Sequence, residues 1–357
     1  MEMRKLKVGI IGMGTIGNVH ADAYAANAGE AELAAICDID ASKLSAQGAK
    51  RSIPESARFA DYRELLKSDV EAVDVCVWNA WHKEIAIAAL EAGKHVLLEK
   101  PMAMNAKEAS EILAAAKKSG KKLQIGMVKR HSGETMRAKE LVDAGALGQI
   151  YHIRAVFMRN RGIPGLGGWF TDKAQSGGGP LIDCGVHWFD AALHVSGLWR
   201  PTSASAKCYA KFGTRMAGYK YVDMWAGPPK LDGKFDVEDY SSGFVRFGDK
   251  ATMSFEVAWA VNSESGGYLE FLGDKEGIRI FEDKPLKLMT EQNGYIANVF
   301  PQFPDTGNMF HRQEKSFLAV CRGESEPLAN GEQGVAIMKL IDAIYESDKL
   351  GREVQIN

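Results

Sequence analysis

The stretch Lys7-Val8-Gly9-Ile10-Ile11-Gly12-Met13-Gly14-Thr15-Ile16-Gly17 decides how the first third of the chain is read. A short β-branched run ending at Ile11 has the character of a buried strand. A G-x-G-x-x-G string follows it directly and opens a helix that continues through Tyr24. The three glycines differ in role. Gly12 permits a tight turn, Gly14 lets the backbone approach a pyrophosphate, and Gly17 allows close helix-to-strand packing. The helix start at Gly14, Thr15, Ile16 and Gly17 offers free N–H groups and partial positive charge to an anion. Asp38 closes the next apolar run 21 residues after Gly17, where a carboxylate hydrogen-bonds the ribose 2′-hydroxyl of a dinucleotide. The same carboxylate repels a 2′-phosphate, and no arginine follows it within ten residues, so NAD is expected in preference to NADP.

Outward from this motif, strand-like runs alternate with Ala-rich helical ones. Helices are expected over 41–50, 83–92 and 106–119, and strands over Val73–Val77, His95–Glu99 and Lys122–Gly126. Alternation at this spacing means βαβ units, hence a doubly wound parallel sheet in a domain covering 1–126. Beyond it the texture changes. After one helix over 134–144 come aromatic and β-branched runs at 150–158, 205–212, 242–247, 252–261, 268–272 and 277–281. Gly-Asp, Gly-Gly and Asn-Gly turns separate them, which favours an antiparallel sheet. With helices near 182–196, 309–322 and 331–348, the segment 127–357 reads as a single α+β domain. The Gly/Pro-rich segment from Arg159 to Pro180 is too long for a mere connection and is expected to be a lid or binding loop.

Composition removes several function classes. The 357 residues are 46% apolar and 25% charged, and 44 Lys+Arg against 46 Asp+Glu leave a net charge of −2, which argues against binding nucleic acid through charge. Five widely spaced cysteines without a C-x-x-C pair suggest reduced thiols and a cytoplasmic protein. Nowhere do 18 apolar residues run together, so no membrane span is expected. No H-E-x-x-H or comparable ligand set suggests a metal site.

Two constellations carry chemistry. Glu99-Lys100-Pro101 ends a strand of the parallel sheet, and ligands of open α/β sheets bind outside those carboxyl ends. A lysine there is placed to hydrogen-bond a substrate hydroxyl, and the proline allows a cis bond that turns the chain. The second is Gly177-Gly178-Gly179-Pro180-Leu181-Ile182-Asp183-Cys184-Gly185-Val186-His187-Trp188-Phe189-Asp190. On a helix, Asp183, His187, Asp190 and His194 share one face. A histidine near its ordinary pKa can take the proton of an alcohol, and a nearby carboxylate stabilises the imidazolium.

Taken together, Gly12-x-Gly14-x-x-Gly17, Glu99-Lys100-Pro101 and the Gly177 to Asp190 stretch resemble the Gfo/Idh/MocA family, named for glucose–fructose oxidoreductase and inositol 2-dehydrogenase. The resemblance covers essentially the whole chain. It implies an N-terminal Rossmann domain and a C-terminal α/β domain with a large open antiparallel sheet. That sheet's outer face supports homodimers or homotetramers in the family. It also implies an NAD(P)-dependent oxidoreductase that moves hydride at a sugar or cyclitol carbon. By the same resemblance Lys100, Asp183 and His187 hold the reacting hydroxyl and exchange its proton, with His187 the base and Lys100 positioning the oxygen. The family's T-P-N-x-x-H pattern corresponds to Val77-Trp78-Asn79-Ala80-Trp81-His82. Asn79 and His82 match as cofactor contacts, together with Glu99 and Lys100, whereas Val77 and Trp78 replace the Thr-Pro pair.

Substrate contacts are sought among His152, Arg159, Arg161, Trp169 and Phe170, around the long loop, and at Arg130 after a strand end. Aromatic and guanidinium groups there would stack on or hydrogen-bond a sugar ring. No phosphate clamp is present, so the expected substrate is an unphosphorylated sugar, glycoside or inositol-like polyol. A keto-sugar reductase, an NAD-assisted glycosidase with retained cofactor and a non-catalytic NAD-binding sensor are the alternative readings.

Overall fold

The computed structural model describes residues 4–222, 224–282 and 284–356. Among these residues the first part of the chain runs β1 (Leu6–Ile11), α1 (Thr15–Ala26), β2 (Ala31–Cys37), α2 (Ala41–Lys50), β3 (Arg58–Phe59), α3 (Tyr62–Leu66), β4 (Ala72–Val75), α4 (His82–Glu91), β5 (His95–Glu99), α5 (Ala106–Ser119) and β6 (Leu123–Gly126). Local chemistry sets the helix ends. The Asp40 carboxylate accepts from Ser42 N–H and Lys43 N–H to start α2, and the Asn105 side chain accepts from Glu108 N–H to start α5. Gly120, at φ 68°, stops α5 in the left-handed conformation.

The six strands pair in parallel in the order β3-β2-β1-β4-β5-β6. That is the Rossmann order, and its direction reverses between β1 and β4. The carboxyl ends of these two strands lead into the glycine turn and into the Val77–His82 segment. The sheet is buried on both faces, as the near-continuous apolar runs of β1 and β4 require.

The second part contains α6 (Gly133–Asp143), β7 (Ile150–Met158), α7 (Lys173–Ser176), a π-helical turn (Leu181–Gly185), α8 (Val186–Ser196), β8 (Ser203–Tyr209), β9 (Tyr240–Phe247), β10 (Ala251–Ala258), β11 (Gly266–Gly273), β12 (Gly277–Phe281), β13 (Lys287–Gln292) and β14 (Tyr295–Val299). Helices α9 (Met309–Cys321) and α10 (Gly331–Leu350) and strand β15 (Val354–Gln355) complete the chain. Nine strands form one sheet in the order β14-β13-β12-β11-β7-β10-β9-β8-β15. It is mostly antiparallel, but β7 and β10 run parallel. A parallel pair needs a long crossover, which the chain between them, α8 included, supplies. Turn dipeptides alone could not reveal that pairing. The β13–β14 hairpin, absent from the expected strands, turns at Asn293-Gly294, both with positive φ (52° and 81°).

One face of this sheet carries α8. Ile153, Ala155 and Phe157 of β7 and Met253, Phe255 and Val257 of β10 are buried, with Phe157 against Trp188 (5.6 Å) and Phe189 edge-on to Phe255 (5.1 Å). The alternate positions, His152, Arg154, Thr252 and Ser254, face the other side, as the two-residue period of a strand dictates.

The chain divides into two compact units, 1–131 with 307–335, and 132–306 with 336–357. The boundary near 126 was expected, but the return of 307–335 to the first unit was not. It returns because α9 packs on α1, burying Phe317 and Leu318 in the core that contains Val8, Ile10 and Tyr24. A hydrophobic stripe on a late helix does not say which core it enters.

In the second unit, Asp239 is fully buried and its carboxylate accepts three backbone N–H groups, from Lys211 (2.9 Å), Phe212 (2.6 Å) and Gly213 (2.9 Å). Asp239→Ala leaves these buried donors without their acceptor. Chemical denaturation is expected to show a loss of about 2–3 kcal/mol, and an unchanged midpoint would refute this role for the carboxylate.

Candidate functional site

The glycine turn has the shape that a dinucleotide requires. Gly12 sits at φ +97°, and a Cβ there would overlap the Cys76 carbonyl; a Cβ on Gly17 would overlap the Gly12 carbonyl oxygen. Gly14, by contrast, has nothing within 4 Å of where its Cβ would stand, and no side chain caps α1. Backbone N–H groups at the start of α1 therefore face open space, as binding a pyrophosphate demands. The half-buried Asp38 accepts from Met13 N–H (2.8 Å) through one oxygen and from Asp40 N–H (2.9 Å) through the other. Its carboxylate is thus fixed beside the turn, where a ribose diol would be read. The residues present fit NAD.

The Glu99-Lys100-Pro101 motif lies at the carboxyl end of β5, with the Lys100–Pro101 bond cis, as expected. The Glu99 side chain accepts from Lys100 N–H (3.2 Å). His82 is buried, with Nδ1 2.7 Å from the Pro101 carbonyl oxygen and Nε2 3.0 Å from that of Val77. Burial lowers its pKa, and a neutral ring can donate to only one of the two carbonyls at a time. His82 therefore ties the segment after β4 to the segment after β5. Asn79 is buried at the start of a 3₁₀ turn, Asn79–Trp81, while Trp78 and Trp81 are about half exposed. Trp78 is no core residue.

In the second unit Asp183 and His187 stand four residues apart, across the junction from the π turn into α8, and both remain partly exposed. His194 also keeps partial exposure, whereas Asp190 is 1% exposed and belongs to the core side. Asp183 Oδ2 accepts from the indole N–H of the buried Trp259 (3.1 Å). Trp259 meets Phe170 edge-on (6.3 Å), and Phe170 contacts both Trp169 (3.8 Å) and the half-exposed Trp225 (5.2 Å). The expected loop is stitched to the segment that carries Trp225. Ala226 N–H donates to Pro164 O, Lys230 N–H to Leu166 O, and Asp236 N–H to Thr171 O.

The triple glycine that leads to Asp183 also has its reason. The buried Glu238 carboxylate accepts from Gly179 N–H (3.0 Å), Leu181 N–H (3.1 Å) and the Tyr345 hydroxyl (3.0 Å). A Cβ on Gly179 would overlap the Glu238 backbone, and one on Gly178 the Tyr345 hydroxyl. Burial raises the Glu238 pKa, an effect that the two backbone donors partly oppose.

Comparisons with known proteins agree with this geometry. Residues 6–127 match the oxidoreductase family with an NAD-binding Rossmann fold, and residues 135–279 match the GFO/IDH/MocA C-terminal domain. The protein named D-glucoside 3-dehydrogenase from Escherichia coli is 34% identical over 363 residues, covering 100% of this chain and 99% of its own. The chain belongs to the Gfo/Idh/MocA oxidoreductase family. Inositol 2-dehydrogenase from Salmonella typhimurium is 37% identical over 146 residues, 40% of this chain and 43% of its own. Among solved structures, aldose-aldose oxidoreductase from Caulobacter crescentus, complexed with glycerol, superposes with a TM-score of 0.81 at 27% identity, covering 99% of this chain and 100% of that one.

Within this Gfo/Idh/MocA chain three expected substrate contacts fall elsewhere. Arg130 is 1% exposed and its guanidinium donates to the Leu328 carbonyl and to Gln333 (2.8 Å), so it joins two segments of the first unit. His152 lies on the sheet face opposite α8, bonded to Thr252 (2.8 Å) and near Ser254 (3.3 Å), away from Asp183 and His187. The strand period puts it there. Arg161 is engaged by the Asn160 and Val261 carbonyls and by Asn262, which holds the loop base. Trp225, Glu238 and Trp259 were missed. The signal for Trp259 was an aromatic at a strand end; for Glu238 no local signal existed, because its partners lie 57–59 residues earlier and 107 later.

The anchoring of Asp38 makes a test of cofactor choice. Asp38→Ala is expected to weaken NAD binding about tenfold to a hundredfold, by loss of charge-assisted hydrogen bonds, and to erase the preference over NADP. Fluorescence titration with NADH and NADPH measures both, and an intact preference would refute the assignment.

Proposed function

We propose that the chain is an NAD-dependent dehydrogenase acting on a ring hydroxyl of an unphosphorylated sugar, glycoside or cyclitol. The observation that carries this reading is Asp183, oriented by a buried indole N–H beside the Trp169–Phe170–Trp225 cluster. A carboxylate fixed next to exposed aromatic surface suits a ligand with both hydroxyls and an apolar ring face. The full-length likeness to a protein named for a glucoside favours a glycoside within that class.

In the proposed reaction the Lys100 ammonium donates a hydrogen bond to the substrate hydroxyl oxygen, and His187 takes that hydroxyl's proton. Asp183, held by Trp259, stabilises the imidazolium that results. NAD, when bound at the glycine turn, supplies the hydride acceptor. Asn79, His82 and Glu99 shape the cofactor side, with His82 and Glu99 acting on the Lys100–Pro101 backbone.

Two finer readings accompany this one. The sheet face opposite α8 exposes Tyr209 and Phe244, which supports its use as a homodimer or homotetramer interface. None of the five cysteines is in a disulfide, which supports a reducing, cytoplasmic setting. Within the described residues no helix is long and apolar enough to cross a membrane.

The direct test is NADH formation from NAD with a panel of glycosides, free aldoses and inositols. One class of ring hydroxyl is expected to be oxidised. His187→Ala should lower kcat by about 10²–10⁴-fold, as loss of a general base does, while NADH affinity stays within a few-fold of wild type. Oxidation undiminished in His187→Ala, or no oxidation across the panel, would overturn the reading.

A further inference from the structure

The first unit buries a cluster of ionisable groups for which the glycine turn has no use. His20 of α1 is fully buried, with Nδ1 2.7 Å from Asp74 Oδ2 of β4 and 3.2 Å from Glu314 Oε1 of α9, and Nε2 3.2 Å from Glu99 Oε1 of β5. Only the Asp74 contact has hydrogen-bond geometry: neither Glu314 oxygen has a hydrogen-bond partner among the described residues. Cys76 follows β4 with Sγ 3.4 Å from Asp74, and the Tyr24 hydroxyl of α1 is also buried without a hydrogen-bond partner. The Phe310 ring covers His20 at 5.6 Å. Glu99 packs on β6, where a Cβ on Gly126 would overlap its Oε1.

Three carboxyl groups around one imidazole in a dry core cannot all be anions, because the desolvation of each charge costs several kcal/mol. The cluster needs protons. We propose that His20 and Glu314 are positioning residues for Lys100: the His20 imidazolium pairs with the Glu99 carboxylate, a neutral Glu314 leaves that pairing unopposed, and Glu99 in turn fixes the Lys100 backbone by accepting its N–H. This rests on the reading of Lys100 as the group that holds the reacting oxygen.

The charge pattern agrees with that assignment. Burial, the largest single influence, would depress the His20 pKa, but Asp74 and Cys76 together outweigh it and raise it well above the usual range. Burial pushes Glu314 up to about 8, an effect that His20 partly offsets and Asp74 and Glu99 reinforce. Burial raises Cys76 and Tyr24 well above their ordinary values, so both stay neutral. The remaining polar neighbours, Gln124 of β6 and Gln313 of α9, carry no charge. The consequence for stability has a definite sign. An acid at 4.5 in the unfolded chain and about 8 in the folded one contributes fully below 4.5, and that contribution is lost as pH rises toward about 8. His20, raised in the fold, loses its contribution in the same direction.

The test uses the full-length protein and Glu314→Gln, which keeps the shape and stays neutral at every pH. Thermal melting from pH 5 to 9.5 needs no substrate. The wild type should lose several degrees more than Glu314→Gln over this range, and identical slopes would overturn the proton assignment. In turnover, the fall of kcat above about pH 8 should move to higher pH in Glu314→Gln, with KM and NADH affinity within about twofold of wild type. An unmoved alkaline limb, with the melting difference present, would leave the cluster a mere stability element and overturn the positioning role. Stoichiometric divalent metal in the purified wild type would overturn it as well, since the donor atoms of His20, Asp74 and Cys76 lie within 4.8 Å of one another. If the wild type oxidises no substrate, the dehydrogenase reading fails while the melting comparison still reports on Glu314.

Discussion

Two adjacent buried residues, Glu238 and Asp239, hold together most of what surrounds Asp183. The Glu238 carboxylate gathers Gly179 N–H and Leu181 N–H, which sets the entry into the π turn. The Asp239 carboxylate collects the backbone of Lys211 to Gly213, while its own carbonyl accepts from Trp259 N–H (3.0 Å). Trp259 then donates its indole N–H to Asp183. One dipeptide before β9 thus locates both the turn that presents the carboxylate and the side chain that orients it. Buried carboxylates suit this work: a carboxylate oxygen can accept more than one donor, and unpaired burial would be too costly to persist.

The first unit uses the same device with a different balance. Asp38 accepts backbone N–H groups at the glycine turn, and Glu99 accepts the Lys100 N–H. Two histidines finish the work around β5, His20 beside the Glu99 carboxylate and His82 beneath the Pro101 carbonyl. Neither faces solvent, so their chemistry goes into geometry. In the second unit, His187 and His194 of α8 keep partial exposure.

Legibility followed the range of the interactions. The glycine turn, the acid at the end of β2, the E-K-P motif and the Asp183–His187 pair are all local patterns, and each was read in place. Arg130 and His152 were misassigned for a common reason: their surroundings come from distant segments. The partners of Arg130 lie 198 and 203 residues later in the chain, and those of His152 lie 100 and 102 residues away. A polar residue after a strand looks the same whether it faces a ligand or seals a core.

By itself the sequence determined the doubly wound parallel class of the first sheet, its dinucleotide-binding glycine turn and the family. These rest on backbone rules and short-range spacing, which a string of residues displays directly. Only the tertiary structure decided that α9 returns to the first unit, that β7 and β10 run parallel, and that Trp225 and Trp259 stand with Asp183. It alone showed His20, Asp74, Glu99 and Glu314 converging from α1, β4, β5 and α9. Such groups meet because packing brings distant elements into contact, and the burial that then sets their charge is a property of the folded interior rather than of any segment.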